Sequence, residues 1–112
     1  MPPRLLRAKK ASSVYLSRRV HEFLERCKNE WLRKNVNETL DLLRMNYELG
    51  DRVPKRQWPY SYVRQLGLNN LYRCDLVDGW RLTYTLSFDG VGIRVDVIEV
   101  MTHQEYDRRF GY

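Results

Sequence analysis

A histidine, a tyrosine and two arginines in the second half of the chain are residue types that together can cleave RNA without a metal ion. The reaction needs a base for the 2′-OH proton, cations for the negative charge of the phosphorane, and an acid for the 5′-oxygen. A histidine can serve as base or acid near neutral pH, which suits His103. Arg73 and Arg81 would hold phosphate oxygens. Tyr106 would stack on a base or bind the phosphate. We predict these four residues as the catalytic group.

The same residues also have a purely structural interpretation. A single histidine at the end of a strand is structural more often than it is catalytic. Arginines on a strand face are usually solvated or paired with carboxylates across the sheet. Spacing alone therefore leaves a non-catalytic surface open as the alternative.

Other common catalytic arrangements are missing from the sequence. It contains no glycine-rich phosphate loop, no cysteine or histidine spacing of the zinc type, and no Ser-His-Asp signature. Its two histidines are too few for a histidine-rich metal site. We therefore expect no metal site and no cofactor.

The chain is basic, with a net charge of +6 and a pI near 9.5. In a small protein this balance suggests a polyanionic partner such as nucleic acid. Lys55 and Arg56, which alternate with aromatic residues in a loop with two prolines, are predicted to bind RNA. A packed loop with solvated charges is an equally supported interpretation. Arg108 and Arg109, near the end of the chain, are predicted to bind RNA as well.

Three strand-like runs, at about 71–76, 80–88 and 92–101, must position the candidate residues. Asp-Gly turn signals separate the runs. A three-residue turn at 77–79 keeps one face of the first hairpin apolar, and a buried face determines the register strongly. Near its end, the third run has apolar residues at both odd and even positions, so that both of its faces are apolar. This pattern predicts a central strand covered on both sides.

The predicted register brings the candidate side chains together. It pairs Asp75 with Arg81, so that both lie with Arg73 on the open face of the sheet. Because His103 and Tyr106 follow the third run directly, they are predicted to face the same cleft as Arg81.

Helical periodicity dominates the first half of the chain. Apolar residues at steps of three and four predict an amphipathic helix over about 13–33. A second helix is predicted from Asn35, with Glu38 as a capping-box partner and Gly50 as its stop. A short strand at 5–6 and one helical turn at 61–66 complete the prediction. The fold class is α+β: an N-terminal helical hairpin packed on a small antiparallel sheet.

The length of 112 residues predicts a single domain, 1–112. No apolar run approaches the ~20 residues of a membrane span. The basic N-terminus lacks a following apolar signal core. We therefore expect a cytoplasmic protein.

The sequence resembles the RelE/ParE toxin superfamily, mainly over residues 50–112. The resemblance rests on three short motifs in order: Asn70-Leu71-Tyr72-Arg73, Gly79-Trp80-Arg81-Leu82-Thr83-Tyr84 and His103-Gln104-Glu105-Tyr106-Asp107-Arg108. It implies a compact α+β fold with a short first strand, two helices and a three-stranded antiparallel run. It also implies a toxin that is paired with an antitoxin and inhibits translation by cutting mRNA on the ribosome without a metal.

The resemblance also assigns roles to particular residues. It implies that Arg81 contacts phosphate and that Arg73 helps to activate the 2′-OH. It implies that His103 and Tyr106 serve in proton transfer and base stacking.

One residue departs from the pattern of the superfamily. Where such toxins often carry a second basic residue on this strand, the chain has Asp75, which by the predicted register faces Arg81. An altered ribonuclease activity, a carboxylate base and loss of that activity are all compatible with this change. The gyrase-poisoning branch shares the fold without the catalytic set, so a non-catalytic binding module is the alternative function.

Overall fold

The computed structural model describes residues 9–111, and a five-stranded sheet lies at their centre, in the order β1-β5-β4-β3-β2. The strands are β1 (Ser13–Leu16), β2 (Asp51–Arg52), β3 (Tyr72–Asp75), β4 (Arg81–Phe88) and β5 (Ile93–Met101). The helices are α1 (Arg18–Arg26), α2 (Glu30–Met45) and α3 (His103–Arg109). The strand predicted at 5–6 lies outside the described residues.

Helices α1 and α2 cover one face of the sheet, which we call the helix face. Helix α3 and residues 53–62 cover part of the opposite face, which we call the site face. Helices packed on a small sheet confirm the predicted α+β class. Strands β2 to β5 pair antiparallel, whereas β1 pairs with β5 in parallel.

The predicted helix boundaries are wrong. Residues that were assigned to one helix over 13–33 form β1, then α1, then the start of α2. Ser17 follows β1 directly and caps α1, because its hydroxyl accepts from the Val20 N–H at 3.2 Å. The Asn29 side chain caps α2 in the same way, accepting from Leu32 N–H at 3.1 Å. These two caps, 12 positions apart, start two separate helices within an apolar pattern whose periodicity predicted one continuous helix.

Asn35 is an interior residue of α2 and does not begin a helix. Its side-chain oxygen accepts from the Val77 N–H at 2.8 Å, which ties α2 to the turn between β3 and β4. The helix ends at Met45, ahead of the predicted stop at Gly50. Gly50 has a different function, since a Cβ there would lie 2.5 Å from the Arg73 carbonyl oxygen.

The register of the β3–β4 hairpin is confirmed. Asp75 pairs with Arg81 and Arg73 with Thr83 across a turn at Val77–Gly79. Asp78 and Gly79 both have positive φ, at 54° and 76°, as a tight turn requires.

A β-bulge in β5 sets which side chains reach the site face. Thr83 pairs with Glu99 and Tyr84 pairs with Val97, so Ile98 is the extra residue. Val97 therefore packs on the helix face, while Ile98, Glu99 and Met101 lie on the site face. The bulge explains why apolar residues of both parities occur near the end of this strand.

The site face is less open than the sequence predicted. A small second core covers its middle, made of Val53, Tyr62, Leu71, Met101, Tyr106 and Phe110. Arg73 and Arg81 lie at the rim of this core, with about a fifth of each side chain exposed.

Leu82→Ala is expected to lower the free energy of unfolding by about 2–5 kcal/mol, as large-to-small changes do in a packed core. Leu82 is 0% exposed and belongs to the core under the helix face. Denaturant unfolding followed by tryptophan fluorescence measures the change. A loss below half a kcal/mol would contradict the assignment of the strand faces.

Candidate functional site

Two guanidinium groups meet over one tyrosine ring at the corner of the site face. Strand alternation directs Arg73 from β3 and Arg81 from β4 to this face. The guanidinium carbons lie 5.5 Å (Arg73) and 4.7 Å (Arg81) from the centroid of the Tyr106 ring. Both distances fit cation–π contacts. The aromatic ring of α3 therefore brings the two predicted phosphate-binding arginines together.

Carboxylates separate the cations of this corner. Asp75 Oδ1 lies 3.5 Å from Nε of Arg73 and 3.5 Å from Nε of Arg81. Asp51 Oδ2 lies 3.7 Å from Nη2 of Arg73. Asp107 on α3 lies 3.7 Å from Nη1 of Arg81. The contact between Asp75 and Arg81 that the register predicts is thus present, and two further carboxylates extend it.

His103 lies at the end of this series. It is the first residue of α3, which the Thr102 hydroxyl caps by accepting from the Glu105 N–H at 3.2 Å. Its Nδ1 atom lies 3.6 Å from Oδ2 of Asp107, and about half of its side chain is exposed. The ring also lies against the β3–β4 turn, where a Cβ on Gly79 would be 2.9 Å from its Cδ2 atom. The missing side chain of Gly79 therefore makes room for the imidazole.

These contacts form one chain of alternating charge that we call the ion chain: Asp51, Arg73, Asp75, Arg81, Asp107 and His103. Its three carboxylates balance its two arginines and, when protonated, its histidine. Because the outer groups are partly exposed, solvent screens these pairs and each contributes little to stability. A phosphate that approached Arg73 or Arg81 would compete with the carboxylates for the same donors.

Tyr106 lies deeper than one of its two predicted roles, stacking on a base, requires. It is 0% exposed, and its ring stacks on Phe110 with centroids 4.1 Å apart. Its ring is therefore inaccessible to a nucleotide base, and its burial does not support the predicted base stacking. Its contacts make it a positioning residue for the two arginines.

The residues predicted to bind RNA separate into surface and interior groups. Lys55 and Arg56 lie in an exposed 3₁₀ turn (Lys55–Gln57), and Arg108 is exposed beside its ion-pair partner Glu105. Arg109 instead donates to Glu99 from Nη1 and Nη2, at 3.1 Å each. It belongs to a partly buried network around Glu99, and its contact with RNA stays a prediction.

Glu99 is the centre of that network. Besides Arg109, it accepts from Tyr62 Oη at 2.6 Å and from Arg19 Nη1 at 2.8 Å. Burial acts to raise the pKa of the Glu99 carboxyl, but the donated hydrogen bonds outweigh it, and the pKa lies below its ordinary value. Burial raises the pKa of Tyr62, so this phenol remains a donor. The network anchors the C-terminal end of α3, and with it the placement of His103.

Several residues of this corner were not singled out by the sequence analysis. Asp107 had a recognisable signal, because it lies one helical turn after His103 within the third motif of the resemblance. Asp51 had none, since its role depends on a contact between strands. Gly79 was predicted as a turn residue, but its contact with His103 had no signal in the sequence. Among residues 9–111, no three His, Cys, Asp or Glu side chains form a group that could hold a metal.

A solved structure shares this architecture. The E. coli toxin RelE, as a double arginine-to-alanine mutant in the free state, aligns with a TM-score of 0.54 over 89% of this chain and 94% of that one. The chain has the RelE toxin fold. Sequence identity to RelE is 16%, so the likeness establishes the fold alone. No protein-family model matches the sequence, and no curated protein matches it significantly.

The RelE-like fold confirms the resemblance that the three motifs indicated. The motifs lie at β3, β4 and α3, the elements that carry every member of the ion chain except Asp51 of β2. None of the helices described within residues 9–111 is long and apolar enough for a bilayer crossing.

Proposed function

We propose that this protein is the toxin of a toxin–antitoxin pair and cleaves mRNA in the cytoplasm as a metal-independent, ribosome-associated endoribonuclease. The observation that carries the proposal is the convergence of Arg73, Arg81 and His103 at one corner of a RelE-like fold. These groups supply the two cations and the proton-transfer group that the chemistry needs.

Each group has a role that follows from its position. Arg81, held between Asp75 and Asp107, binds the scissile phosphate and stabilises its added negative charge. Arg73 lies on the same tyrosine ring and favours a deprotonated 2′-oxygen. His103 transfers a proton from its exposed side, while Asp107 lies at Nδ1 and orients the ring. Tyr106 positions both arginines, because both guanidinium groups lie over its ring.

Asp75 acts in this proposal as the counter-ion of the two arginines before RNA binds. Asp75→Asn is expected to raise the rate of RNA cleavage by roughly two- to fivefold, since an exposed ion pair of this kind contributes a few tenths to one kcal/mol. Rates of cleavage of one defined mRNA under subsaturating conditions measure the effect.

Asp96→Asn is the matched control for this change, because Asp96 pairs with Arg94 at 3.1 Å on the distant part of β5. It should leave the rate unchanged. Abolished cleavage in Asp75→Asn alone would instead identify Asp75 as a carboxylate base.

An acidic segment of the antitoxin is the partner that this surface fits. The chain carries a net charge of +6, and Arg73 and Arg81 must be covered for the toxin to be silent. We therefore expect the antitoxin to lie over the corner of the site face or to displace α3.

Expression in growing cells tests the proposal directly. The chain alone should arrest growth and produce new mRNA 5′ ends, and co-expression of a short neighbouring reading frame should relieve both effects. A harmless protein that co-purifies with no small partner would count against a toxin.

The contact between Asp75 and Arg81 favours one second candidate, a non-catalytic module on the same fold such as a gyrase inhibitor. Growth arrest with intact mRNA and inhibited gyrase would identify that function. The half-exposed His103, which lies on the site face away from α1 and α2, favours the ribonuclease.

A further inference from the structure

A long segment of the chain has no acidic residue. Between Asp51 and Asp75, residues 52–74 contain five Lys and Arg and no Asp or Glu, so this segment carries a charge of +5. Four of the five cations are exposed: Arg52, Lys55, Arg56 and Arg64. This concentration of charge lies beside the ion chain, in which cations and carboxylates balance.

A pocket of about 300 Å³ lies within this acid-free segment at the β2 edge of the sheet. None of the residues that line it is acidic: Arg52, Val53, Pro54, Lys55, Trp58 and Asn69. We call it the Trp58 pocket. Its volume is at the lower end of the range of small-molecule sites, which suits one nucleotide.

The walls of the Trp58 pocket are held by the fold. The half-buried Trp58 donates from its indole Nε1 to the Val53 carbonyl at 2.9 Å. Val53 in turn donates from its N–H to Leu71 O at 2.9 Å. Lys55 Nζ lies 5.9 Å from the Trp58 ring centroid, and the Arg52 guanidinium lies 5.8 Å from the Tyr72 ring. The aromatic surface and both cations are therefore in place before any ligand binds.

These groups correspond to the parts of a nucleotide. Arg52 and Lys55 can bind a phosphate, and the indole of Trp58 offers a surface on which any base can stack. Asn69 Oδ1 accepts from Asn70 at 2.8 Å, so its NH₂ group is the donor for a base edge.

The pocket adjoins the candidate site along β2. Asp51, which pairs with Arg73 across β2 and β3, immediately precedes Arg52. Because β2 has only two residues, an RNA strand bound at Arg73 has only this short edge strand to pass before it reaches the pocket. We propose that the Trp58 pocket binds one nucleotide of single-stranded RNA next to the nucleotides at the ion chain. The inference rests on the proposed ribonuclease function and adds a substrate subsite to it.

Binding of an uncleavable RNA tests the subsite without catalysis. The probe is a fluorescein-labelled hexaribonucleotide with 2′-O-methyl groups throughout, titrated with protein in 0.15 M salt. Arg52→Ala/Lys55→Ala is expected to weaken binding about tenfold and to lower the slope of log K against log salt by roughly 0.7 per lost contact. Both side chains are exposed, so the variant should fold.

The matched control removes the same charge elsewhere. Arg26, the last residue of α1, and Lys28, two positions later, are exposed, and α1 packs on the helix face. Arg26→Ala/Lys28→Ala should change the affinity less than threefold. Trp58→Phe provides a second readout, because RNA should quench the fluorescence of the wild type and the quenching should disappear in this variant. Equal losses in the two double variants, or unchanged quenching in Trp58→Phe, would overturn the subsite.

Cleavage assays separate the two proposals. If the wild type cleaves RNA, Arg52→Ala/Lys55→Ala should raise KM with kcat unchanged. An unchanged KM would reject the subsite and leave the ribonuclease standing. RNA binding that depends on the pocket, in a protein that cleaves nothing, would reject the ribonuclease and leave the subsite standing. A tighter, pocket-dependent interaction with an acidic peptide would assign the pocket to a protein partner instead and overturn the inference.

Discussion

Arg81→Ala is expected to lower the rate of mRNA cleavage by about 100- to 1,000-fold, the usual loss when one preorganised donor to a transition-state charge is removed. The guanidinium group lies 4.7 Å from the buried Tyr106 ring and has a carboxylate near either side, so its position is determined before RNA arrives. Alanine keeps the strand and removes only the donors. Single-turnover cleavage of a defined mRNA on purified ribosomes measures the loss, and growth of expressing cells reports it in vivo.

Arg94→Ala is the matched control for this substitution. Arg94 lies on β5, where its guanidinium is 4.8 Å from the Tyr15 ring centroid and 3.1 Å from Asp96. It therefore makes the same two kinds of contact as Arg81, one aromatic and one with a carboxylate, but with different residues. It should lose as little stability as Arg81→Ala and retain full activity. Undiminished toxicity of a folded Arg81→Ala variant would remove Arg81 from the mechanism.

The hairpin that carries Arg73 and Arg81 was predictable because its information is local. Side chains alternate along a strand, and only one turn length keeps Leu82 and Tyr84 on a common apolar face with their partners. The pairing of Asp75 with Arg81 follows from the same register, and the structure contains it. The strand register alone therefore predicts which charged residues of the site lie next to each other.

The helical half of the chain was harder to predict because its boundaries depend on distant contacts. The apolar pattern continues through β1, which is a strand only because it pairs with β5, more than 80 positions away. The Asn35 side chain accepts a hydrogen bond from the Val77 N–H, 42 positions away. The local apolar periodicity therefore carries no information about β5 or Val77, the partners that determine these boundaries.

The cover of the site face could not be predicted for a similar reason. The bulge at Ile98 turns Glu99 toward Tyr62 and Arg109, which fixes α3 against the sheet. This packing buries Tyr106 under the arginines, although the spacing of His103 and Tyr106 suggested two accessible side chains. The same α3 that buries the tyrosine leaves the histidine half-exposed at its first turn.

His103→Ala is expected to lower mRNA cleavage by about 100- to 10,000-fold, the range for removal of a general acid or base. His103 is the group at this corner that can both accept and donate a proton near neutral pH. Its Nδ1 faces Asp107 at 3.6 Å, which leaves the other nitrogen for proton transfer in the proposed mechanism. Because Thr102 supplies the cap of α3, alanine at the next position should leave the helix intact. Single-turnover rates measured across pH should show this loss together with a changed pH profile.

The other histidine of the chain is the control for that prediction. His21 is exposed on α1, which packs on the helix face. His21→Ala should keep the wild-type rate and pH profile, and thermal unfolding should place both variants close to the wild type. If folded His103→Ala cleaves mRNA at the wild-type rate with an unchanged pH profile, His103 transfers no proton. Wild-type cleavage by both His103→Ala and Arg81→Ala would reject the mechanism as a whole, because the ion chain would then contain neither the proton donor nor the phosphate-binding cation.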